Sequence, residues 1–344
     1  MSDIVRILIV DDSAYVRKVI RQMLSRSPFL EIVGTARDGR EALEMAEELR
    51  PDVITCDLIM PELDGVGFIE AQMARRPVPI VVVSVASESG EMVLAALDAG
   101  AVDFVQKPTA LATDRVLEIA DELIEKVKGA AAARPAIRRQ AAAPAAAVAK
   151  AASARSADIV VIGISTGGPQ ALKLVIPRLP AELPVPIAIV LHMPVGYTEL
   201  YARKLNEQSA LTVLEAPEGE IVKKGNVYLA PAGRHLTLRR SSTGDVVTHL
   251  DVRPLDTLYR PSVDSLFQSA ADVYGSRVLG IVMTGMGSDG REGAAWIKAK
   301  GGCVLTESEA SCVVYGMPRS VVEAGLSDGA VMLDRMADEL MARI

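Results

Sequence analysis

Short apolar runs alternate with segments of helical periodicity along this chain, and that alternation most restricts its fold. From residue 4 to 128 the runs are IVRILIV, LEIVGTA, VITC, PIVVVS and DFV. Between them, Val16, Val19, Ile20, Met23 and Leu24, and then Ala42, Leu43, Ala46 and Leu49, share single helix faces. Further helices are expected near 64–74, 89–98 and 112–128. Runs that are apolar throughout belong to strands buried on both faces. The prediction is an α/β, doubly wound parallel sheet covered by helices on both sides.

The pattern stops at residues 129–156 (GAAAARPAIRRQAAAPAAAVAKAASARS). Alanine buries too little surface to hold a fold, Pro135 and Pro144 interrupt any helix, and Arg134, Arg138, Arg139 and Lys150 exclude a membrane span. The stretch reads as a partly helical linker with an end-to-end distance of roughly 30 Å. It separates a domain at 1–128 from one at 157–344, as 344 residues also suggest. The second domain resumes the strand–helix alternation. Its β-rich insertion near 211–251 predicts hairpins at KKGNVYLAP and at HLTLRRSSTGDVVTHL, the latter turning at Ser242–Gly244.

A net charge of −7 argues against nucleic acid as a main partner. Cys56, Cys303 and Cys312 have no spacing for a disulfide framework or a zinc site, and Cys56 reads as core packing. The apolar N-terminus is too short for a signal peptide, and no uncharged apolar run can insert in a bilayer, so a cytoplasmic location is expected.

Polar residues gather at the predicted strand ends of the first domain. Asp11 and Asp12 follow the first strand, Asp57 the third and Lys107 the fifth, while Ser84 ends the fourth. C-terminal strand ends share one edge of a doubly wound sheet. Three carboxylates there suit a hard cation such as Mg²⁺, and a lysine and a hydroxyl can hold phosphoryl oxygens. Each aspartate alone could be a helix cap. The five together, with Pro108 and PELDG at 61–65, resemble the response-regulator receiver domain over residues 4–124. That resemblance implies a flavodoxin-like fold, Asp57 as phosphoacceptor, Asp11, Asp12 and Asp57 around Mg²⁺, Lys107 as phosphate partner and Ser84 as the switch hydroxyl.

In the second domain, GISTGG places Ser165 after DIVVIGI, LHMP places His192 after PIAIVL, and TGMGSDG places Asp289 after RVLGIVM. A nucleophile, a base and a carboxylate at three strand ends form a hydrolytic triad. GISTG also fits the α/β-hydrolase elbow, but that family runs serine, acid, histidine, and no histidine follows His249. His249 lies in a predicted hairpin, and His235 after PAGRH is a weaker competitor for the base. Ser165 could instead cap a helix or bind phosphate, and Asp289 could cap the helix ahead of Trp296. Together the three strand ends favour catalysis, with the Thr166 N–H and a group near Met286 facing the oxyanion.

GISTGGP, LHMPVGYT, YLAPAGRH, RPSVDSLF, TGMGSDG and EASCVVYGMP occur in the order found in the chemotaxis protein-glutamate methylesterase family, the CheB type. The resemblance covers both domains and the linker position. It implies a Rossmann-like catalytic domain with a β-hairpin region and a Ser165–His192–Asp289 triad needing no cofactor. The implied substrates are glutamate methyl esters on cytoplasmic helices of methyl-accepting chemoreceptors, hydrolysed with release of methanol, and often receptor glutamines, which are deamidated. A chemotaxis histidine kinase would be the phosphodonor, and the unphosphorylated receiver would inhibit the esterase. Leu191 replaces a glutamine common in the family, and the linker is unusually alanine-rich. Two other readings remain: a receiver fused to a hydrolase of another ester, and a response regulator with a non-enzymatic output. The acidic balance and the lack of a basic helix-turn-helix tail disfavour a DNA-binding output.

Overall fold

The computed structural model describes residues 4–84, 90–107, 114–132 and 156–344. The chain forms two compact units, Met1–Ile137 and Arg138–Ile344. Most of the predicted linker, together with Pro108, lies outside the described residues.

The first unit runs β1 (Val5–Val10), α1 (Ala14–Leu24), β2 (Leu30–Ala36), α2 (Gly39–Leu49), β3 (Val53–Cys56), α3 (Gly65–Arg75), β4 (Ile80–Ser84), α4 (Gly90–Asp98), β5 (Asp103–Gln106) and α5 (Asp114–Ala132). Its sheet order is β2-β1-β3-β4-β5, with every pairing parallel. The apolar runs dictate this, since Ile7, Leu8, Ile9, Val53, Ile54 and Cys56 are inaccessible on both faces. Each such aliphatic side chain contributes about 1.5–3 kcal/mol by burial. On one face α1 and α5 close over Ile7, Ile9 and Val81. Ser13, Asp38 and Asp64 cap α1, α2 and α3 by accepting backbone N–H groups of the first turn. Helix α5 continues through Ala132, into the stretch whose composition marks it as linker, because alanine is the strongest helix former.

The second unit runs β6 (Ile159–Ile164), α6 (Gly168–Val175), β7 (Ile187–Leu191), α7 (Thr198–Glu207), β8 (Thr212–Glu215), β9 (Asn226–Leu229), β10 (His235–Arg240), β11 (Val246–Asp251), α8 (Val263–Tyr274), β12 (Val278–Val282), α9 (Arg291–Ala299), β13 (Cys303–Glu307), α10 (Met317–Glu323), β14 (Gly329–Val331) and α11 (Met336–Met341). Its main sheet is ordered β14-β13-β12-β6-β7-β9-β8 and is parallel throughout. The chain reverses its direction of travel across the sheet at β6, flanked by β7 and β12. Such a switch point opens a crevice beyond the C-terminal strand ends.

Strands β10 and β11 form the expected antiparallel hairpin, turning at Gly244, whose φ is +91°. The other predicted hairpin segment behaves differently. NVYL forms β9, which lies between β7 and β8 in the parallel sheet. Its Val227, Tyr228 and Leu229 are consecutive and buried, the mark of a two-sided strand rather than a half-exposed hairpin.

Candidate active site

Strand register places Ser165 and His192 side by side, and among the described residues no hydrogen bond joins their side chains. Ile164 of β6 pairs with Leu191 of β7, and the His192 N–H donates to Ile164 O at 3.1 Å. Ser165 and His192 are therefore the next residues on adjacent strands. On the other side of β6, the Ser165 N–H donates to Thr284 O at 3.0 Å, just past the end of β12. The loop from Thr284 then carries Asp289 back to His192, where Nε2 and Asp289 Oδ2 lie 2.9 Å apart.

Ser165 does not cap a helix. The N-cap of α6 is Gly167, in the left-handed region at φ +79°, and it makes no side-chain capping bond. Ser165 instead occupies a tight turn in which its carbonyl accepts the Gly168 N–H at 2.7 Å. The 285–287 loop lies directly against it. A Cβ added at Gly285 would stand 2.7 Å from the Ser165 Cβ, so only glycine permits this approach. Met286, the second residue of that loop, is thereby held beside the nucleophile turn.

Asp289 caps a helix, but not the one ahead of Trp296. Its carboxylate accepts from the α8 N-terminus, from Val263 N at 2.8 Å and Asp264 N at 3.0 Å, and from Ser262 Oγ at 3.0 Å. Asp264 performs the reciprocal service, accepting from Gly290 N and Gly293 N at the start of α9. Burial would raise the Asp289 carboxyl, but the His192 hydrogen bond and charge and the α8 amides outweigh it, leaving it below the usual carboxylate range. Burial, despite those two amides, pushes Asp264 up instead. Two adjacent aspartates are thus driven apart, and Asp289 is the one kept ionised.

An ionised Asp289 can only accept, so His192 Nε2–H donates to it and the lone pair sits on Nδ1. Among the described residues Nδ1 is buried with no hydrogen-bond partner. In the serine-protease template the carboxylate holds Nδ1, so this imidazole is presented the other way round. The Tyr259 ring stacks on it, with centroids 4.2 Å apart and planes 16° from parallel. The other histidines are committed elsewhere. His235 is inaccessible, with Nδ1 accepting from Ser262 N and Nε2 against Pro254 O, and burial lowers its pKa. His249 Nδ1 pairs with Glu218 at 2.9 Å.

In the first unit, oxygens of Asp11, Asp12 and Asp57 all lie within 4.8 Å of one another, an all-oxygen set that fits a hard divalent cation. Lys107 Nζ stands 2.6 Å from both Asp11 Oδ2 and Asp57 Oδ2. Burial raises the Asp11 carboxyl beyond what Lys107 offsets. Burial also depresses Lys107, but hydrogen bonds and charges from Asp11 and Asp57 outweigh this and hold it above its usual value. Ser84 is buried at the end of β4, and its carbonyl accepts the Lys107 N–H at 2.7 Å. The turn at 61–65 ends on Gly65, where a Cβ would meet Asp57 O at 2.2 Å. Only glycine lets this loop close over Asp57.

A family model described as CheB methylesterase matches residues 160–340, and one described as response regulator receiver domain matches residues 7–120. A curated relative from Myxococcus xanthus, named protein-glutamate methylesterase/protein-glutamine glutaminase 5, is 52% identical over 96% of both chains. The chain belongs to the CheB methylesterase family. A second member of the family, from Symbiobacterium thermophilum and named protein-glutamate methylesterase/protein-glutamine glutaminase, is 42% identical over 98% of this chain and 96% of its own. The crystal structure of the Thermotoga maritima CheB methylesterase catalytic domain is 43% identical, with a TM-score of 0.53, and covers 55% of this chain and 100% of that one. Residues that sequence reasoning left without a role are Tyr259, Ser262, Asp264, Thr284 and Glu307. Ser262 and Asp264 lie inside the RPSVDSLF motif, and that motif was the available signal.

Proposed function

We propose that this chain is a phosphorylation-regulated serine esterase. It hydrolyses glutamate methyl esters on the cytoplasmic helices of methyl-accepting chemoreceptors, releasing methanol, and deamidates receptor glutamines. The carrying observation is the His192 Nε2–Asp289 contact, with a buried, unpartnered Nδ1 one strand away from Ser165. The names of the full-length relatives supply the substrate class.

In this reading His192 Nδ1 takes the Ser165 hydroxyl proton as Oγ attacks the ester carbonyl carbon. The tetrahedral oxyanion faces the Thr166 N–H and the backbone near Met286. As the intermediate collapses, the carbon–oxygen bond to the methoxy group breaks, and the imidazolium proton leaves with it as methanol. Water then repeats the sequence on the acyl-serine, freeing glutamate and Ser165. With glutamine, ammonia leaves instead of methanol.

Residues 1–128 serve as the receiver, 129–156 as the linker and 157–344 as the esterase. Asp11, Asp12 and Asp57 would hold Mg²⁺, which supplies charge neutralisation for phosphoryl transfer. Asp57 accepts the phosphoryl group from a chemotaxis histidine kinase in the cytoplasm, and Lys107 and Ser84 engage its oxygens. The deciding measurement is methanol release from methylated receptor. Ser165→Ala and His192→Ala should lower it by several orders of magnitude in folded protein, and near-normal turnover in Ser165→Ala would exclude the serine mechanism.

A further inference from the structure

Glu307, at the end of β13, is a fully buried carboxylate for which the triad has no direct use. Its Oε2 accepts the Thr284 N–H at 2.9 Å and its Oε1 accepts the Ser311 hydroxyl at 3.0 Å. No lysine or arginine pairs with it among the described residues, and burial pushes its pKa up to about 7. A carboxylate in such a place adds little stability over an apolar residue of the same volume. What it holds is informative.

Thr284 grips the nucleophile turn at two points. Its carbonyl accepts the Ser165 N–H at 3.0 Å, and its hydroxyl donates to Thr166 O at 2.9 Å while accepting the Val314 N–H at 2.9 Å. The peptide group between those points is Ser165 C=O to Thr166 N–H. Its carbonyl turns inward to Gly168 N, and in a trans peptide the N–H then points the opposite way. The pose of Ser165 and the aim of the Thr166 N–H thus both follow from where Thr284 sits. The backbone of Thr284 is tied in turn to Glu307.

We infer that Glu307 is a positioning residue that fixes the nucleophile turn through Thr284. The inference rests on the serine mechanism proposed above. Without the carboxylate, the Thr284 N–H loses its buried acceptor and the loop can shift to recover a bond. Displacements near 1 Å at a reacting group cost about 10²-fold in rate. The side-chain carbonyl of glutamine can still accept from Thr284 while its amide donates to Ser311 Oγ, so the geometry survives the loss of charge.

The test measures kcat and KM for methanol release, and the rate of Ser165 labelling by a fluorophosphonate, in the full chain. Glu307→Ala should lose about 10²-fold in kcat and in labelling rate with KM little changed, and Glu307→Gln should stay within about threefold of the parent. Thr284→Val removes the grip on Thr166 without a change of shape and should show the same split. Combined with Glu307→Ala it should add little, because both act through the seating of Thr284 against the Ser165 turn. A folded Glu307→Ala of parental kcat, a loss confined to KM, or a fully additive double variant each overturns the inference. If Glu307→Ala does not fold, Glu307→Gln and Thr284→Val decide: a Gln variant as impaired as a Ser165 variant, or a fully active Val variant, refutes it. Ser165→Ala is assayed alongside. Its retained turnover sinks the serine mechanism itself, whereas its inactivity beside an unimpaired Glu307→Ala sinks only the positioning role.

Discussion

At the residue scale, the assembly turns on which imidazole nitrogen faces the carboxylate. Asp289 holds Nε2–H, the proposed mechanism makes Nδ1 the base, and Asp289→Asn can present the wrong hydrogen-bonding group to the ring. That variant should lose about 10⁴-fold in kcat, by comparison with the equivalent change in the serine-protease template, with the fold intact by circular dichroism. Tyr259 lies flat against the same ring and limits its rotation. Tyr259→Phe keeps the stacked face and should retain most of the activity. Tyr259→Ala should lower kcat by about tenfold or more by freeing the imidazole, and equal rates for the two would show that stacking has no part in catalysis. Cys56, by contrast, is core packing: it is inaccessible, and burial pushes its thiol well above the ordinary range.

At the element scale, the setting of Asp289 depends on how two helices meet. A Cβ at Gly293 of α9 would fall 2.5 Å from the Phe267 Cβ and 3.0 Å from the Asp264 Cα on α8. Gly293→Ala must therefore push α8 from α9, at a cost of about 1–3 kcal/mol, and move the amides that hold Asp289. Both melting temperature and kcat should fall. A fall in stability alone would mean that the cap tolerates the shift. Strand β13 adds a pH dependence through Glu307, raised by burial from 4.5 to about 7. Because the folded state favours the protonated form, its stabilising contribution is complete below the unfolded value and is lost as pH rises through about 7. The denaturation midpoint of Glu307→Gln should gain on the parent as pH rises from 4.5 to about 7 and hold that gain above it, and parallel curves throughout would contradict the buried, partly neutral carboxyl.

At the scale of the whole molecule, the two units use unrelated chemistry at strand ends of two parallel sheets. One is an all-oxygen cluster with a lysine, the other a serine, histidine and aspartate. Chelators should abolish phosphorylation of Asp57 and leave unphosphorylated esterase turnover unchanged, measured by acyl-phosphate content and methanol release. A fragment beginning near residue 153 should hydrolyse ester at a rate indifferent to phosphodonor, and Asp57→Asn in the full chain should stay at the unphosphorylated rate. A hundredfold activation needs about 2.7 kcal/mol of phosphorylation-dependent inhibition. A fragment no faster than the unphosphorylated full chain would mean that the receiver activates by positive action rather than by release.

Apolar run and turn chemistry, both local, were enough to specify two parallel α/β sheets and the strand ends that Asp57, Ser165 and His192 directly follow, while Asp289 lies further on, in the loop between β12 and α9. Periodicity reports how many faces of a segment are buried, and a doubly wound sheet gathers its C-terminal strand ends whatever the loops do. NVYL shows where that reading thins, since a strand of four residues carries too few alternations to say which sheet it joins. Tertiary structure alone decided that Asp289 caps α8 rather than α9, that His192 turns Nε2 rather than Nδ1 to it, that Tyr259 stacks on His192, and that Thr284 and Glu307 back the Ser165 turn. The physical reason is sequence separation. Glu307 stands 23 residues from Thr284, and Thr284 stands 118 from Thr166. Their hydrogen bonds form only after neighbouring strands have paired, and no local pattern in the chain encodes a partner at that distance.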